Sequence, residues 1–432
     1  MSTKPHKHSK PNNQNHVIII GGGHVGLSFA LLLAHQGIYS TLIETVKYPT
    51  IAPDQDRTRS QYLDSRNTAL SRKTVQIYQE IGLWEQLESH ACRIDKVKIS
   101  ELGSFGKATL EKAKENVESF GQVMENAWLG RQLLQAVRNS SFVTLLDDTK
   151  VTNIDQCDSS VTITANRFGE KNTLLIEAPL AVACDGQNSP ARQQLGIDVH
   201  TYDYQQVGIV GVVETDKPHE HIAIERFSGA GPLAILPLPD IQSDDKSHEN
   251  GENNGYRRSV VFICPKGDEQ RYLDDDEHFL ATLQRVFGDE AGKFTKAGRR
   301  GAYPLVKVLA KRQVAGRCVI MGNAAHTLHP VAGQGFNLCL RDARALAMML
   351  GNVLKTAENG QFDFGGHARL VAYEMARQQD QKRVIRFCDA VVHGFTHKNP
   401  MVKFVRNLGL IAFDKLPGIK PMVANYAMGL KS

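Results

Sequence analysis

The sequence predicts an α/β fold in which a parallel sheet with helices on its faces is interleaved with a mixed β-sheet domain and followed by a helical C-terminal segment. Two observations lead to this prediction. An apolar strand, a glycine-rich turn and a helix stand near the start of the chain, and the same order returns roughly 300 residues later, at Gly322–Asp342. Between them lie short segments rich in β-forming residues, which indicate a second sheet.

The first β-α-β unit is short and regular. His16–Ile20 and Tyr39–Ile43 are apolar runs that predict strands, and Val25–Gln36 between them carries apolar residues at helical spacing. A crossover of this length favours parallel strands, so the unit predicts the start of a parallel sheet. Residues 64–90 and Trp128–Val137 are predicted to be mainly helical.

The second sheet is predicted from about residue 195 onward. Its strand candidates are Val207–Val213, His221–Phe227, Leu233–Pro237 and Ser259–Cys264. The polar, low-complexity stretch at 240–254 predicts an exposed hairpin loop. The chain returns to the first sheet through Arg317–Met321. It then becomes mostly helical, with the segments Asn337 to about Val353, Val371–His393 and the apolar-basic Met401–Leu430.

These elements predict four parts. Residues 1–15 form a disordered polar tail, and residues 16–195 together with 300–355 form the domain of the parallel sheet. Residues 196–299 form the β-rich domain, and residues 356–432 form the helical C-terminal segment.

Composition excludes several classes of protein. The 432 residues are 41% apolar and 22% charged, which is typical of a soluble globular protein, and no apolar run approaches the ~20 residues of a membrane helix. The net charge of +5 is dispersed, so no nucleic-acid partner is predicted. The seven cysteines include no C-x-x-C pair, which predicts neither disulfides nor a zinc site. The tail has no apolar signal core, so a cytoplasmic location is predicted.

The first glycine turn has the pattern of a dinucleotide-binding fingerprint. Gly21, Gly23 and Gly26 follow the first strand, and Glu44 ends the next strand about 20 residues on. The first glycine makes the turn, the second admits a pyrophosphate, and the third lets helix and strand pack closely. Backbone amides at the helix N-terminus attract the phosphates, and Glu44 would accept hydrogen bonds from a ribose. This unit alone does not distinguish FAD from NAD.

The second glycine turn reads GNAAHTLHPVAGQGFNLCLRD. Its Pro330, Gly333 and Gly335 allow the backbone to turn sharply and to approach a flat ligand closely. Two such turns far apart in one chain predict a single extended cofactor that is held at both ends.

Several ordered motifs carry a resemblance to a known family. They are GGGHVG at Gly21–Gly26, DSRNTAL at Asp64–Leu70, ACDG at Ala183–Gly186 and the stretch Gly322–Asp342. Together they are similar to the FAD-dependent aromatic hydroxylases of the p-hydroxybenzoate hydroxylase type, and more narrowly to the ubiquinone-biosynthesis hydroxylases. The likeness runs from about residue 16 to the C-terminus through Ile81–Trp84, Glu225–Phe227, Gly231–Ala234 and Arg406–Leu410.

The resemblance implies a Rossmann-like FAD-binding domain, a substrate domain and a set of cofactor-binding residues. Arg66 would line the FAD pyrophosphate and the route of the nicotinamide cofactor, and Arg131 would contact the adenosine side. Asp185 and Gly186 would touch both FAD and NAD(P)H. The alternatives are an exposed arginine in each case and an ordinary Asp-Gly turn.

The resemblance also places the flavin ring at the second turn. Pro330, Gly333 and Gly335 would wall the isoalloxazine. The helix N-terminus at Phe336–Asn337 would face the pyrimidine edge of the ring, where negative charge collects when the flavin is reduced.

Gly322 and Asn323 would bind the ribityl chain. Many members of the family have Asp after this glycine, whereas this chain has Asn323, which can exchange hydrogen bonds with ribityl hydroxyls but brings no charge. With this residue the stretch is similar to the branch that acts on 2-polyprenyl-6-methoxyphenol and hydroxylates the carbon para to the phenol oxygen.

His326 and His329 form an H-x-x-H pair. No third ligand stands at a fitting spacing, so no metal site is predicted. His326 and Pro330 are the candidates beside the flavin, with His326 expected to form structural hydrogen bonds and acid–base work the lesser alternative. The sequence identifies no catalytic base.

The reaction that the resemblance implies uses NADPH or NADH to reduce FAD, after which O2 adds at C4a of the flavin and the hydroperoxide transfers OH to a phenol ring. Three alternatives stay open: a hydroxylase of another ring position in the same pathway, a flavin halogenase or lipid-reducing relative of the same fold, and a non-catalytic FAD-binding subunit of a quinone-synthesis complex. A flavin disulfide reductase would need paired cysteines and a second nucleotide fold, and the sequence has neither.

A polyprenyl-phenol substrate has consequences for location. At ~0.8 kcal/mol per buried CH2, its tail resists leaving the bilayer. The enzyme is therefore expected to work at the inner face of a membrane or in a ubiquinone-biosynthesis complex. Met401–Leu430, with Lys403, Arg406, Lys415 and Lys420, is the candidate docking segment, and a helix packed on the protein's own core is the alternative.

Overall fold

The computed structural model describes residues 15–49, 66–239, 256–357, 362–397 and 399–415. Most of the predicted tail, the whole predicted loop at 240–254, and residues 416–430 of the candidate docking segment lie outside the described residues. The fold is the predicted α/β arrangement of two interleaved sheets with a helical C-terminal segment.

The elements are numbered in chain order. The strands are β1 (His16–Ile20), β2 (Tyr39–Ile43), β3 (Asn67–Ser71), β4 (Ala91–Ile94), β5 (Lys96–Glu101), β6 (Lys107–Glu111), β7 (Gly121–Glu125), β8 (Val143–Leu146), β9 (Thr149–Gln156), β10 (Val161–Arg167), β11 (Thr173–Ala178), β12 (Leu180–Ala183), β13 (Val199–Thr215), β14 (Ile222–Ser228), β15 (Gly231–Pro237), β16 (Tyr256–Pro265), β17 (Phe294–Ala310), β18 (Val314–Ala315), β19 (Cys318–Ile320) and β20 (His326–Thr327). The α-helices are α1 (His24–His35), α2 (Arg72–Glu80), α3 (Trp84–Glu88), α4 (Asn126–Asn139), α5 (Pro190–Gln194), α6 (Gln270–Asp274), α7 (Asp276–Phe287), α8 (Gln334–Lys355), α9 (His367–Thr396) and α10 (Pro400–Lys415). Short 3-10 turns lie at Gly288–Ala291, Gly322–Ala324 and Val331–Gly333.

The first sheet has the order β18-β19-β12-β1-β2-β8, and all its neighbours are parallel except β18 and β19. Its central strand β1 is buried on both faces, as the continuous apolar run predicts. Val17 and Ile19 face a core with α1, α4 and α8, whereas Ile18 and Ile20 face a second core beneath the antiparallel sheet β11-β10-β9. The first β-α-β unit is therefore correctly predicted, with both strands at the expected residues.

The second sheet has eight strands in the order β20-β17-β13-β16-β15-β14-β5-β6. One face packs on α7, with Phe279, Leu283 and Phe287 in the core. Two of its strands, β5 and β6, come from a stretch that the sequence places in the parallel-sheet domain, and β17 begins before residue 300. Local patterns predict that a strand exists but not which distant strand it pairs with, so such pairings need the structure.

The two sheets are joined through the second glycine turn. His326 in β20 pairs with Leu309 in β17, so the segment that follows the parallel strand β19 becomes the edge of the other sheet. The small sheet β3-β7-β4 and the helices α9 and α10 complete the structure around this junction.

Candidate active site

The two glycine turns meet at the carboxyl edge of the parallel sheet. Backbone hydrogen bonds join neighbouring strands at this edge. The N–H of Gly21 donates to the oxygen of Ile43 (2.8 Å), and the N–H of Met321 donates to the oxygen of Ala183 (2.8 Å). A Cβ on Gly322 would lie 3.3 Å from Cγ1 of Val25, in the helix that follows the first turn. This edge is where open α/β sheets bind their ligands.

The first turn has one crowded side and one open side. Gly21 has φ +101°, and a Cβ there would lie 2.6 Å from the Cys184 carbonyl oxygen. A Cβ on Gly26 would lie only 1.9 Å from the Gly21 oxygen, so close packing requires glycine. At Gly23, the N-cap of α1, no described atom lies within 4 Å of such a Cβ. This opening lies over a helix N-terminus whose first turn carries no acidic residue, which fits a phosphate group.

Glu44 is fixed beside this opening. Its Oε2 accepts from the N–H of Gly22 (2.6 Å) and its Oε1 from the N–H of Val46 (2.8 Å), while the Tyr48 hydroxyl donates to the Gly22 oxygen (2.5 Å). A carboxylate has about four acceptor positions, so two remain for ribose hydroxyls. The geometry is compatible with the predicted role of Glu44.

The second turn also ends at an open helix N-terminus. Gly333 has φ +58° and is the N-cap of α8, which has no side-chain cap and no acidic residue in its first turn. No described atom lies within 4 Å of a Cβ built on Gly335. The N-terminus of α8 suits the electron-rich edge of a flat ring, because the N–H groups of a helix N-terminus and the helix dipole favour negative charge.

Asn337 holds the second turn in place. Its Oδ1 accepts from the N–H of Ser71 (2.8 Å) and the hydroxyl of Thr74 (2.7 Å), and its Nδ2 donates to the oxygens of Ala69 (2.8 Å) and Gly333 (2.7 Å). Both polar atoms are therefore engaged by the protein. The side chain is a clamp between the turn and β3, and the role of Asn337 in cofactor binding stays a prediction.

A family model described as an FAD binding domain matches residues 14–387. The chain belongs to this family. Ubiquinone hydroxylase UbiL of Rhodospirillum rubrum is 31% identical over 96% of this chain and 89% of that protein. The 3-demethoxyubiquinol 3-hydroxylase of Escherichia coli is 28% identical over 97% of this chain and 100% of that protein. The crystal structure of p-nitrophenol 4-monooxygenase PnpA from Pseudomonas putida has the same fold, with a TM-score of 0.73 at 18% identity over 96% and 98% of the two chains.

The predicted family and enzyme class are thereby confirmed: the chain is an FAD-dependent aromatic monooxygenase. The two open helix ends and the glycine positions that admit no Cβ fit an FAD molecule that extends from one turn to the other. When bound, FAD supplies the redox chemistry, and the protein supplies binding, orientation and exclusion of water.

The two predicted FAD-binding arginines each lie beside an aromatic ring of the flavoprotein, Arg66 exposed and Arg131 partly buried. Arg66 is exposed, and its guanidinium lies 5.0 Å from the centroid of the Tyr303 ring. Arg131 is on α4, with its guanidinium 5.7 Å from the Trp128 ring centroid. The roles of both residues in FAD binding stay predictions.

Asp185 and Gly186 differ in what they offer the flavoprotein. The Asp185 carboxylate accepts from the Ser189 hydroxyl (2.5 Å) and the Ala191 N–H (2.9 Å), so it caps α5. Gly186 has φ +90° with no described atom within 4 Å of a built Cβ, so it faces open space. The contacts of Asp185 and Gly186 with FAD and NAD(P)H stay predictions. Arg192 ties α5 to the flavin end, donating to the Ala324 oxygen (2.9 Å).

His326 belongs to a buried ionic network of the flavoprotein. Its Nε2 lies 2.8 Å from Oδ2 of Asp342, whose other oxygen accepts from Arg377 (2.6 Å), and Gln381 also donates to Asp342 (2.9 Å). Burial alone would lower the pKa of His326, but Cys339 and the hydrogen-bonded Asp342 outweigh it and raise the pKa to about 10. The imidazole is therefore charged at neutral pH. This supports the predicted structural role and disfavours acid–base work.

His329, three residues on, is in the opposite state. It is buried, its Nε2 lies 3.3 Å from Oε1 of Gln206, and its ring packs edge-on to Tyr204. Burial lowers the pKa of His329 to about 4, against a smaller opposing effect of Asp389. The two histidines of the H-x-x-H pair thus have separate partners.

One histidine cluster was missed by the sequence analysis because its members are far apart in the chain. Cys92 Sγ lies 3.5 Å from Nδ1 of His221 and 3.9 Å from Nε2 of His219, beside a cavity of about 570 Å³. Nδ1 of His219 accepts from the His221 N–H (3.1 Å), so the ring proton is on Nε2 and points to the sulfur. A metal would need that nitrogen deprotonated, so the geometry favours a hydrogen bond to Cys92 over metal binding.

Proposed function

We propose that this flavoprotein hydroxylates the ring of a polyprenyl-phenol in ubiquinone biosynthesis, with NAD(P)H and O2 as co-substrates. The observation that carries the proposal is the meeting of two open helix N-termini at one sheet edge, in a chain whose relatives from several organisms are named as ubiquinone hydroxylases. The finer proposal is that the substrate is 2-polyprenyl-6-methoxyphenol, which rests on Asn323 and the motif around it.

Each part of the site has a task in this reaction. The first turn and Glu44 would hold the adenosine half of FAD, and the second turn would hold the flavin half. The N-terminus of α8 would stabilise negative charge on the ring. Because β20 joins the second turn to the eight-stranded sheet, that sheet would supply the surface for the phenol.

Genetic deletion tests the substrate. A strain that lacks this protein is expected to accumulate 2-polyprenyl-6-methoxyphenol, identified by mass spectrometry of its lipid extract. Accumulation of a precursor that already carries the para hydroxyl would assign the protein to another ring position, as the name of the Escherichia coli relative would suggest.

An unchanged quinone profile would contradict the proposal. The non-catalytic alternative predicts purified protein that carries FAD but whose NAD(P)H oxidation no methoxyphenol stimulates. The proposed hydroxylase instead forms one product molecule for each NAD(P)H consumed.

Helix α10 is the proposed membrane-docking element. Met401, Phe404, Val405 and Leu408 are exposed at helical spacing and form one apolar stripe. The opposite face is anchored, since Asn407 accepts from the Gly106 N–H (2.8 Å). Among the described helices, none is long and apolar enough to cross a membrane. The exposed apolar stripe is proposed to lie in the membrane interface.

Vesicle binding tests this element. The double variant Phe404→Gln/Leu408→Gln is expected to lose at least about tenfold in binding to anionic lipid vesicles, because two large apolar side chains no longer enter the interface. Phe168→Gln/Leu175→Gln is the matched control, since these two side chains are equally exposed but lie outside α10. Equal binding by both variants would reject the docking role.

A further inference from the structure

The clearest unexplained polar group is Nδ1 of His329. His329 immediately precedes Pro330 in the second turn, and its ring packs between that turn and the strand β13 of the eight-stranded sheet. The side chain is only 2% exposed, and its Nδ1 has no hydrogen-bond partner among the described residues. A buried acceptor without a partner is costly, so it calls for a ligand or a catalytic explanation.

The hydrogen-bond pattern settles which nitrogen carries the proton. Nε2 of Gln206 donates to the Ala230 oxygen (2.6 Å), which leaves Oε1 of Gln206 as an acceptor. This oxygen faces Nε2 of His329 at 3.3 Å, so Nε2 bears the hydrogen. The lone pair of the neutral ring is therefore on Nδ1.

We propose that Nδ1 of His329 accepts the hydrogen bond of the substrate's phenolic hydroxyl and takes its proton while the ring is hydroxylated. This inference rests on the proposed function. His329 lies where the second glycine turn meets strand β13 of the eight-stranded sheet, the junction at which the proposed function places the phenol. His326 is unsuited to the task because its Nε2 is already bound to Asp342 in the ionic network.

The proton transfer is coupled to the attack on the ring. As the new C–O bond forms at the ring carbon, the O–O bond of the O2-derived hydroperoxide breaks, the phenol oxygen becomes a carbonyl, its O–H bond breaks and the proton moves to Nδ1. The hydroxylated carbon then loses its hydrogen as a proton, the C–H electron pair returns to the ring and restores its aromaticity, and the phenol oxygen regains a proton from His329. The proton from the ring carbon joins the second oxygen atom of O2, which leaves as water, and NAD(P)H has supplied the two electrons.

The timing follows from the acidities. A free phenol has a pKa near ~10 and does not yield its proton to a buried, weakly basic imidazole before the attack. The protonated carbonyl that forms during the attack is far more acidic, so the transfer is then favourable. The bound substrate is accordingly expected to be the neutral phenol rather than the phenolate.

Charged groups behind the ring support the transient imidazolium. The Asp389 carboxylate on α9 accepts from the hydroxyl of Tyr204 (3.4 Å) and from Nζ of Lys307 (2.8 and 2.9 Å). Tyr204 packs edge-on to the His329 ring, with centroids 4.9 Å apart. The positive Lys307 is thus paired with Asp389, and the carboxylate is the charge that favours a proton on His329.

Ligand binding without turnover is the first test. FAD-loaded enzyme without NAD(P)H is titrated calorimetrically with a 2-alkyl-6-methoxyphenol and with the same ring lacking the hydroxyl. Wild type is expected to bind the phenol with an affinity about fivefold or more above that of the ring without the hydroxyl, which corresponds to the free energy of one hydrogen bond. His329→Ala is expected to bind the two ligands with equal affinity. The absorption spectrum of the bound phenol is expected to stay that of the neutral form.

Single-turnover hydroxylation is the second test. His329→Asn places an acceptor near the position of Nδ1 but cannot take a proton, so it is expected to keep the binding preference and lose hydroxylation by about 100-fold or more. His200→Ala, at an exposed histidine on the same strand β13, is the control and is expected to behave as wild type. FAD content and melting temperature report whether each variant is folded.

The outcomes separate the two proposals. If wild type binds and hydroxylates the phenol but His329→Ala keeps its preference, or His329→Asn hydroxylates at the wild-type rate, the role of His329 is wrong and the proposed function stands. If wild type neither binds the phenol nor oxidises NAD(P)H in its presence, both proposals fail. A phenolate spectrum in the bound state would overturn the coupled transfer.

Discussion

The two glycine turns lie at the same sheet edge but are stabilised in different ways. The first is local: its tightest contact is between Gly26 and Gly21, five residues apart. The second depends on distant parts of the chain, because Asn337 clamps it to β3 and the network of His326 and Asp342 clamps it to α9. The glycines of the first turn are recognisable from a short motif, although Gly21 also lies against Cys184, whereas the second turn is held by side chains from distant parts of the chain.

The largest expected effect is at the first turn. Gly26→Ala would place a Cβ 1.9 Å from a backbone oxygen, which cannot move without separating α1 from β1. This variant is expected to give no folded protein, as measured by circular dichroism and FAD absorbance.

The Cβ of Gly23→Ala would meet no described atom, so this variant is expected to fold with an unchanged melting temperature. It is expected to lose at least about tenfold in FAD affinity, because the methyl group would enter the space of the phosphate. Normal FAD binding by Gly23→Ala would refute the assignment of that space.

Disrupting the buried ionic network of the second turn is expected to destabilise the protein. Asp342→Asn leaves the charge of His326 buried without its carboxylate, while Arg377 keeps its second partner Asp380, so the free energy of unfolding is expected to fall by about 3 kcal/mol in urea titrations. Asp198→Asn removes a carboxylate from the exposed ion pair with Lys311 and is expected to cost at most about 1 kcal/mol. Equal losses in the two variants would show that the network does not support the turn.

The same network predicts a dependence on pH. The folded-state pKa of His326 is raised to about 10, above its value in the unfolded chain. Its contribution to stability is therefore fully present below the unfolded value near ~6.5 and is lost as the pH rises toward 10. The unfolding free energy of wild type is expected to fall between pH 7 and 10, and His326→Gln is expected to flatten this slope. A slope unchanged by the substitution would mean that another group titrates there.

The comparison explains what could be predicted from the sequence. The strand, glycine turn, helix and Glu44 of the first unit lie within one short segment, so spacing alone gave their arrangement. The roles of Asn337 and Asp185 were not predictable in this way. Their side chains are engaged by Ala69 and Ser189, through contacts that no local pattern reveals.

The histidines show the same limit at the level of chemistry. His326 and His329 are indistinguishable as an H-x-x-H pair, yet one is held charged by Asp342 and the other is held neutral by burial against Gln206. Partners contributed by α8 and β13 decide the difference. The pairing of β5 with β14 is likewise decided by a distant part of the chain. It makes the hairpin of β5 and β6 part of the eight-stranded sheet.

The smallest effect is expected for Asn323→Asp, and the same replacement at Asn337 in the second turn provides the comparison. Asn323→Asp alters an exposed side chain and is expected to change stability by less than about 0.5 kcal/mol and FAD affinity by less than about threefold. Asn337→Asp makes the same change at a buried clamp, where a carboxylate would face the oxygens of Ala69 and Gly333 in place of the donating amide. A loss of about 2 kcal/mol or more is expected there in urea titrations. If Asn323→Asp proved as costly as Asn337→Asp, the exposed asparagine would also be part of the structural clamp, and its use as a pointer to the substrate would lose its basis.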